Sequence, residues 1–194
     1  MSGGKKEFSQ RGIPRMVPAS LIRSRHMHRL ILFAAICTVA LLAGCGGSHG
    51  RYAYHFVPGK SATLHGGHAV APANAPHKVR EAIEAANRIA GLPYCYGAGH
   101  TRGLCSAYDC SGAASYVLCE AGLLDEPTTS GAFRSYGARG AGRWITVCAR
   151  NGHVFLVVAG LRFDTGWGEG AEGPRWTAHG RPLNGATVRH PSGL

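Results

Sequence analysis

The chain is 194 residues long and 45% apolar, with 21 Lys and Arg against 10 Asp and Glu and a formal net charge of +11. This length accommodates one domain with appendages. It contains no internal repeat, phosphate loop, paired-carboxylate motif or basic–aromatic interleaving, which sets aside phosphate-loop and carboxylate-pair chemistry and nucleic-acid binding.

Residues 1–44 account for +6 of the charge and the remainder for +5, a balance that suits work beside an anionic surface. A basic lead is followed by the apolar run Leu30 to Gly44, which has the layout of a secretory signal and is short for a membrane span. Leu42-Ala43-Gly44-Cys45 is similar to a bacterial lipobox. It implies a signal peptide over 1–44 and a lipid on Cys45, the first residue of the mature protein. An uncleaved signal anchor is the competing reading, and the long lead before Met27 leaves the start codon open. Residues 45–75 are rich in Gly, His, Ala and Pro without a sustained period, so they are expected to form a flexible tether. His49, His55, His65, His68 and His77 fall in or beside it, but their spacing matches no ordered metal site. Neither a metal nor another cofactor is expected.

The domain proper is expected to span 76–194. Val79, Ile83, Ala86 and Ala90 recur at helical spacing, with Pro76 suited to the first turn and Gly91 to the stop. After the Pro93-Tyr94 turn comes a loop over 98–108, flanked by Cys95 and Cys105. The second helix is expected over Cys110 to Ala121. Ala113, Ala114, Val117, Leu118 and Ala121 share one face, Asp109 is suited to the N-cap, and Gly122 to the stop. Cys110 projects onto that same face from the first helical residue. The positive end of a helix favours a thiolate, and the thiolate is the nucleophile. Position alone does not decide the matter, since a lone cysteine is more often a small buried hydrophobe.

Residues 125–131 are turn-rich, and 131–142 suggest no regular element. Trp144 to Cys148 and His153 to Ala159 are β-rich runs joined across Asn151-Gly152, which predicts a hairpin. His153 opens its strand, and a helix-start cysteine with a strand-borne histidine is the pairing that nucleophilic catalysis needs. A two-residue turn at Ala159-Gly160 would place Asp164 opposite Phe155 and diagonal to His153, where its carboxylate would hold the Nδ1–H. A turn at Gly160-Leu161 would put Asp164 out of reach opposite Val157, and an odd-length loop would bring Thr165 to that face instead. Asp164 is preferred because a carboxylate stabilises imidazolium better than a hydroxyl does. It is read as partly exposed at the strand end. Residues 166–182, with Trp167, Glu169, Glu172, Trp176 and His179, are expected to be a loop lining a cleft. A last strand is expected within Gly185 to His190. The whole predicts an α+β fold, with N-terminal helices packed on an antiparallel sheet.

Three blocks in order, Gly91-Leu92-Pro93-Tyr94-Cys95-Tyr96-Gly97, Asp109-Cys110-Ser111-Gly112 and Gly152-His153-Val154, carry a resemblance. From about Pro76 onward the chain resembles the NlpC-type cell-wall peptidases of the papain-like superfamily. The resemblance implies Cys110 as nucleophile, His153 as base, and a polar orienting residue on the next strand, which Asp164 would supply. It implies that Tyr94 turns its hydroxyl to the centre, with Asp109 and Ser111 beside the oxyanion and substrate. Peptidoglycan stem peptides would be the substrate, most often at the bond between D-glutamate and a diamino acid. The protein would be a monomer in the cell envelope. Its lipid would place it on an outer membrane facing the periplasm, or on the outer face of the plasma membrane where there is only one membrane. The usual Pro-Gly-Asp-Leu turn before the histidine strand is replaced here by Arg143-Trp144-Ile145-Thr146, which marks a divergent branch. An amidase or acyltransferase on the same pair, and a non-catalytic wall-associated lipoprotein, remain as alternatives.

Export brings the cysteines to an oxidising compartment. With Cys37, Cys45 and Cys110 accounted for, Cys95, Cys105, Cys119 and Cys148 remain. A Cys95–Cys105 bridge would close a short loop. Cys119, about 180° from Cys110 around the helix, leaves a Cys119–Cys148 bridge as a second option.

Overall fold

Two helices carry the first half of the domain in a computed structural model that describes residues 51–166 and 171–194. Helix α1 spans His77–Ile89 behind Pro76 at its N-cap. It buries Val79, Ala82, Ile83, Ala85, Ala86 and Ile89, the 3–4 periodicity of a single packed face. Gly91, at φ +86°, turns the chain out of the helix in a conformation only glycine adopts without cost. Helix α2 spans Cys110–Glu120 and packs against α1, with Ala113, Ala114, Val117 and Leu118 all buried. A single turn, α3, covers Ser130–Phe133.

The helices lie on a six-stranded antiparallel sheet. In chain order the elements of the structure are β1 Arg51–Tyr52, β2 Thr63–His65, β3 His68–Val70, then after the helices β4 Ala138–Arg139, β5 Ile145–Arg150, β6 His153–Val158, β7 Leu161–Gly166, β8 Ala171–Thr177, β9 Arg181–Pro182 and β10 Thr187–His190. The large sheet has the order β4-β10-β5-β6-β7-β8. Strands β5 to β8 form a meander, and the last strand folds back onto the free side of β5. Alternation sorts the side chains of β6 between the two faces. Val154, Leu156 and Val158 join the helices in the main core. Phe155 and Val157 join Cys148 in a smaller cluster covered by Tyr52 and Leu183.

The β5–β6 hairpin pairs Arg150 with His153 and Ile145 with Val158, so Asn151-Gly152 is its turn. In the next hairpin Val158 pairs with Leu161 and Leu156 with Phe163, with Ala159-Gly160 between. Both turn residues have positive φ, +45° and +84°, the mirror-image turn whose twist matches that of paired strands. Ala159 has a Cβ and is strained there. It is held by its N–H to Trp144 O at 2.7 Å and by Ala62 N–H to its own carbonyl at 2.8 Å.

Three expectations are corrected. The segment from residue 51 to 75 is not a tether, and His49–Leu194 is one compact unit. Strand β1 pairs with β9, β2 and β3 form a hairpin, and Ala62, Ala69 and Ala75 are buried. Asn87 of α1 stitches this segment down, exchanging hydrogen bonds with both Ala69 backbone groups at 2.9 Å and accepting Trp176 Nε1–H at 2.8 Å. Small side chains and glycines hid this packing because it uses few large apolar groups. Residues 166–182 are not all loop, since β8 pairs with β7 and Trp176 is buried in the core. Residues 131–142 hold both α3 and β4. The signal, Cys45, Trp167 and Glu169 lie outside the described residues. Among the described residues no helix is long and apolar enough to cross a membrane.

Candidate active site

Tyr108 fixes the approach to α2. It is fully buried, and its ring lies 5.5 Å from that of Tyr116. Its hydroxyl accepts the Cys105 N–H at 2.7 Å. Its backbone bonds to Pro93 and Cys95, so residues 93–95 and 108 run as a short parallel bridge. Tyr94 and Cys110 are thereby brought to one place. The loop crosses the helix start so closely that a Cβ on Gly112 would collide with Ala98 O and Gly99. That close approach is the physical reason for a glycine two residues after the cysteine.

Asp109 caps α2, accepting Gly112 N–H at 2.7 Å and the Ser111 hydroxyl at 3.1 Å. It also accepts Gly97 N–H at 3.0 Å and His100 Nε2 at 3.1 Å. Burial alone would raise the Asp109 carboxyl, but the Gly112 N–H and His100 outweigh it and hold the group below the ordinary range. Both carboxylate oxygens are thus engaged within the protein, as is Ser111, whose hydroxyl also lies 3.3 Å from His100. Asp109 and Ser111 line the cavity with their side-chain oxygens already engaged at the start of α2.

His153 stands at the edge of β6, half-buried, with Asp164 Oδ1 2.9 Å from its Nε2. The diagonal placement across the Ala159-Gly160 turn brings these two together. The ring nitrogen differs from the expected one: Nε2 faces Asp164, and the Cys110 thiol is near enough to act on the charge of the ring. Burial pulls the His153 pKa down, but the Asp164 and Cys110 interactions outweigh it, and the pKa is raised. Asp164 is not partly exposed. Its side chain has no solvent-accessible surface, and Oδ2 meets Arg181 Nη1 at 2.7 Å and Arg162 Nε at 3.5 Å. Thr165, the alternative third member, is also buried but has the opposite strand parity and faces away.

A cavity of about 360 Å³ opens over Cys110. It is lined by Tyr94, Tyr96, Gly97 and His100, by Thr129 and Ser130 at the start of α3, and by Gly152, the chain neighbour of His153. The Tyr94 phenol is raised by partial burial and then by the charges of Cys110 and Asp109, so it stays a neutral O–H donor. The five described cysteines are all free, and neither candidate bridge forms. The Cys105 thiol turns to Thr101 Oγ1 at 3.3 Å, while Cys95 is exposed. Burial lifts Cys148 to about 12 on the far face of the sheet, and burial also raises Cys119. Among the described residues no cluster of three metal-ligating side chains occurs.

Sequence reasoning missed His100, Arg162 and Arg181. Arg162 was within reach of it, two residues before Asp164 on the same strand face. Nothing local announced Arg181 or His100, because folding alone brings them to their carboxylates.

The chain matches no family model and no curated protein.

Proposed function

We propose that the protein is a cysteine hydrolase of peptidoglycan stem peptides, a divergent NlpC-type member of the papain-like superfamily anchored by lipid at Cys45. The observation that carries this reading is the His153 ring, held by Asp164, beside a Cys110 that lines the cavity. His153 Nδ1 takes the thiol proton as Cys110 Sγ attacks the amide carbonyl carbon. The oxyanion forms against the first-turn amides of α2, with the Tyr94 hydroxyl as a further donor. His153 passes its proton to the departing amine as the C–N bond breaks, leaving a thioester. Water, deprotonated by His153, attacks that thioester, and the acid and the free thiol are regenerated. Asp164 holds the ring and stabilises imidazolium throughout.

Digesting purified peptidoglycan with the intact protein and with Cys110→Ala, then weighing the fragments by mass spectrometry, tests the reading. Cleaved stem peptides that vanish in Cys110→Ala are expected. Intact stem peptides with released or transferred acyl groups would favour an amidase or acyltransferase. No difference between the two proteins would leave a non-catalytic lipoprotein.

A further inference from the structure

The carboxylate of Asp164 is divided between two tasks. Oδ1 takes His153 Nε2 at 2.9 Å and Gly166 N–H at 3.1 Å. Oδ2 is left to Arg181 Nη1 at 2.7 Å, with Arg162 Nε at 3.5 Å. A carboxylate without solvent contact must be paired to remain charged, and Arg181 makes the closest of its cationic contacts on Oδ2. Arg181 is held in turn. Its Nη1 also donates to Gly166 O, its guanidinium lies 5.7 Å from the Phe155 ring centre, and its backbone pairs with Tyr52 of β1. An arginine whose Nη1 serves two acceptors and whose guanidinium lies over a ring is a rigid fixture rather than a loose counter-ion.

We infer that Arg181 is a positioning residue for the Cys110–His153 pair, fixing through Asp164 Oδ2 the carboxylate that aims the His153 ring. The inference rests on the reading of Cys110 and His153 as a catalytic pair. It extends the row of groups from the His153 ring through the Asp164 carboxylate to the Arg181 guanidinium. It also gives β1 and β9 a task, since this small two-stranded sheet carries the last link. The groups facing Asp164 are His153 from β6, Arg162 from β7, Cys148 from β5 and Arg181 from β9. Cys110 of α2 lies beyond the His153 ring, and Tyr52 of β1 lies near Arg162.

The sign of the effect separates positioning from mere support. Arg181 is a like charge to the imidazolium across Asp164, so its removal should stabilise imidazolium while loosening the ring. In the full chain carrying Cys110→Ala, the NMR titration of His153, assigned with His153→Gln, reads this without any substrate. Arg181→Met should raise the His153 midpoint by about half a unit or more, and Arg181→Lys should return it toward the parent value. With Cys110 present, Arg181→Met should lower kcat on peptidoglycan at least about tenfold with little change in KM. An unmoved midpoint in folded Arg181→Met overturns the inference. Should melting curves show Arg181→Met unfolded, Arg181→Lys decides alone: turnover down about threefold or more at an unchanged midpoint supports it, and parental turnover overturns it. A shifted midpoint in a protein that cleaves no peptidoglycan, the parent included, leaves the positioning intact and removes the hydrolase reading.

Discussion

Asp164 is a buried anion shared by one histidine and two arginines, and its substitution should cost both activity and stability. Asp164→Ala should lower turnover by roughly one to four powers of ten. It should also destabilise the fold by about 3–5 kcal/mol, because Arg181 and Arg162 lose the charge that offsets their burial. The buried carboxylate thus overturns the reading of Asp164 as partly exposed at the strand end. Thr165→Ala should leave turnover close to that of the parent. Turnover on a stem-peptide substrate, with thermal melts alongside, checks both, and a loss of activity confined to Thr165→Ala would remove Asp164 from the relay.

His153 gives a second expectation at this scale. Its pKa is raised in the folded protein, so its stabilising contribution is complete below the unfolded value of about 6.5 and is lost as pH rises through the folded value. Melting temperatures followed upward from pH 6 should fall more steeply in the parent than in His153→Gln. Equal slopes would show that the imidazolium contributes nothing to the fold. The limb of kcat/KM that His153 sets should correspondingly lie above about 6.5.

At the scale of elements, the segment from Arg51 to Ala75 is part of the domain despite its composition. A chain beginning at Pro76 would lack β1 and the β2–β3 hairpin, uncover the Asn87 side chain, and free β9 and its Arg181. Such a chain should melt at least several degrees lower than one beginning at His49 and show reduced turnover. Equal melting temperatures would return the segment to the status of a tether. This was the least legible part of the sequence. Helices α1 and α2 and the β5–β6–β7 meander could be read directly, because 3.6-residue and two-residue alternations of apolar side chains survive in them. The same parity placed Asp164 diagonal to His153 through the Ala159-Gly160 turn. Nothing comparable marks 51–75, where the buried residues are Ser61, Ala62, Ala69 and Ala75, too small to stand out from a linker. Strand β8 was concealed by its glycine and proline, and the His153 nitrogen that meets Asp164 is fixed by ring orientation, to which sequence parity is blind.

For the whole molecule, the relay joins two layers that the chain builds at different times. On the proposed reading the nucleophile comes with α2, while its base, orienter and Arg181 come with β6, β7 and β9. The site therefore does not exist until the sheet has docked on the helices, and small rearrangements of that docking act directly on the Cys110–His153 contact.

Strand β10 is the last to be made, yet it lies between β4 and β5 rather than at the rim. Thr187, Val188 and Arg189 pair with Ala149, Cys148 and Val147. Until that strand arrives, β5 presents an open row of backbone donors and acceptors flanked by Ile145, Val147 and Ala149, all buried once folding is complete. An unpaired apolar edge invites a strand from another molecule. A chain truncated before Thr187 should thus keep its meander but self-associate, and light scattering against concentration would show it. A monomeric truncated chain would mean that β4 or a loop can seal the rim alone. Self-association would make β10, which carries no chemistry, an internal guard against aggregation, with each copy most vulnerable just before residues 187–194 fold into place.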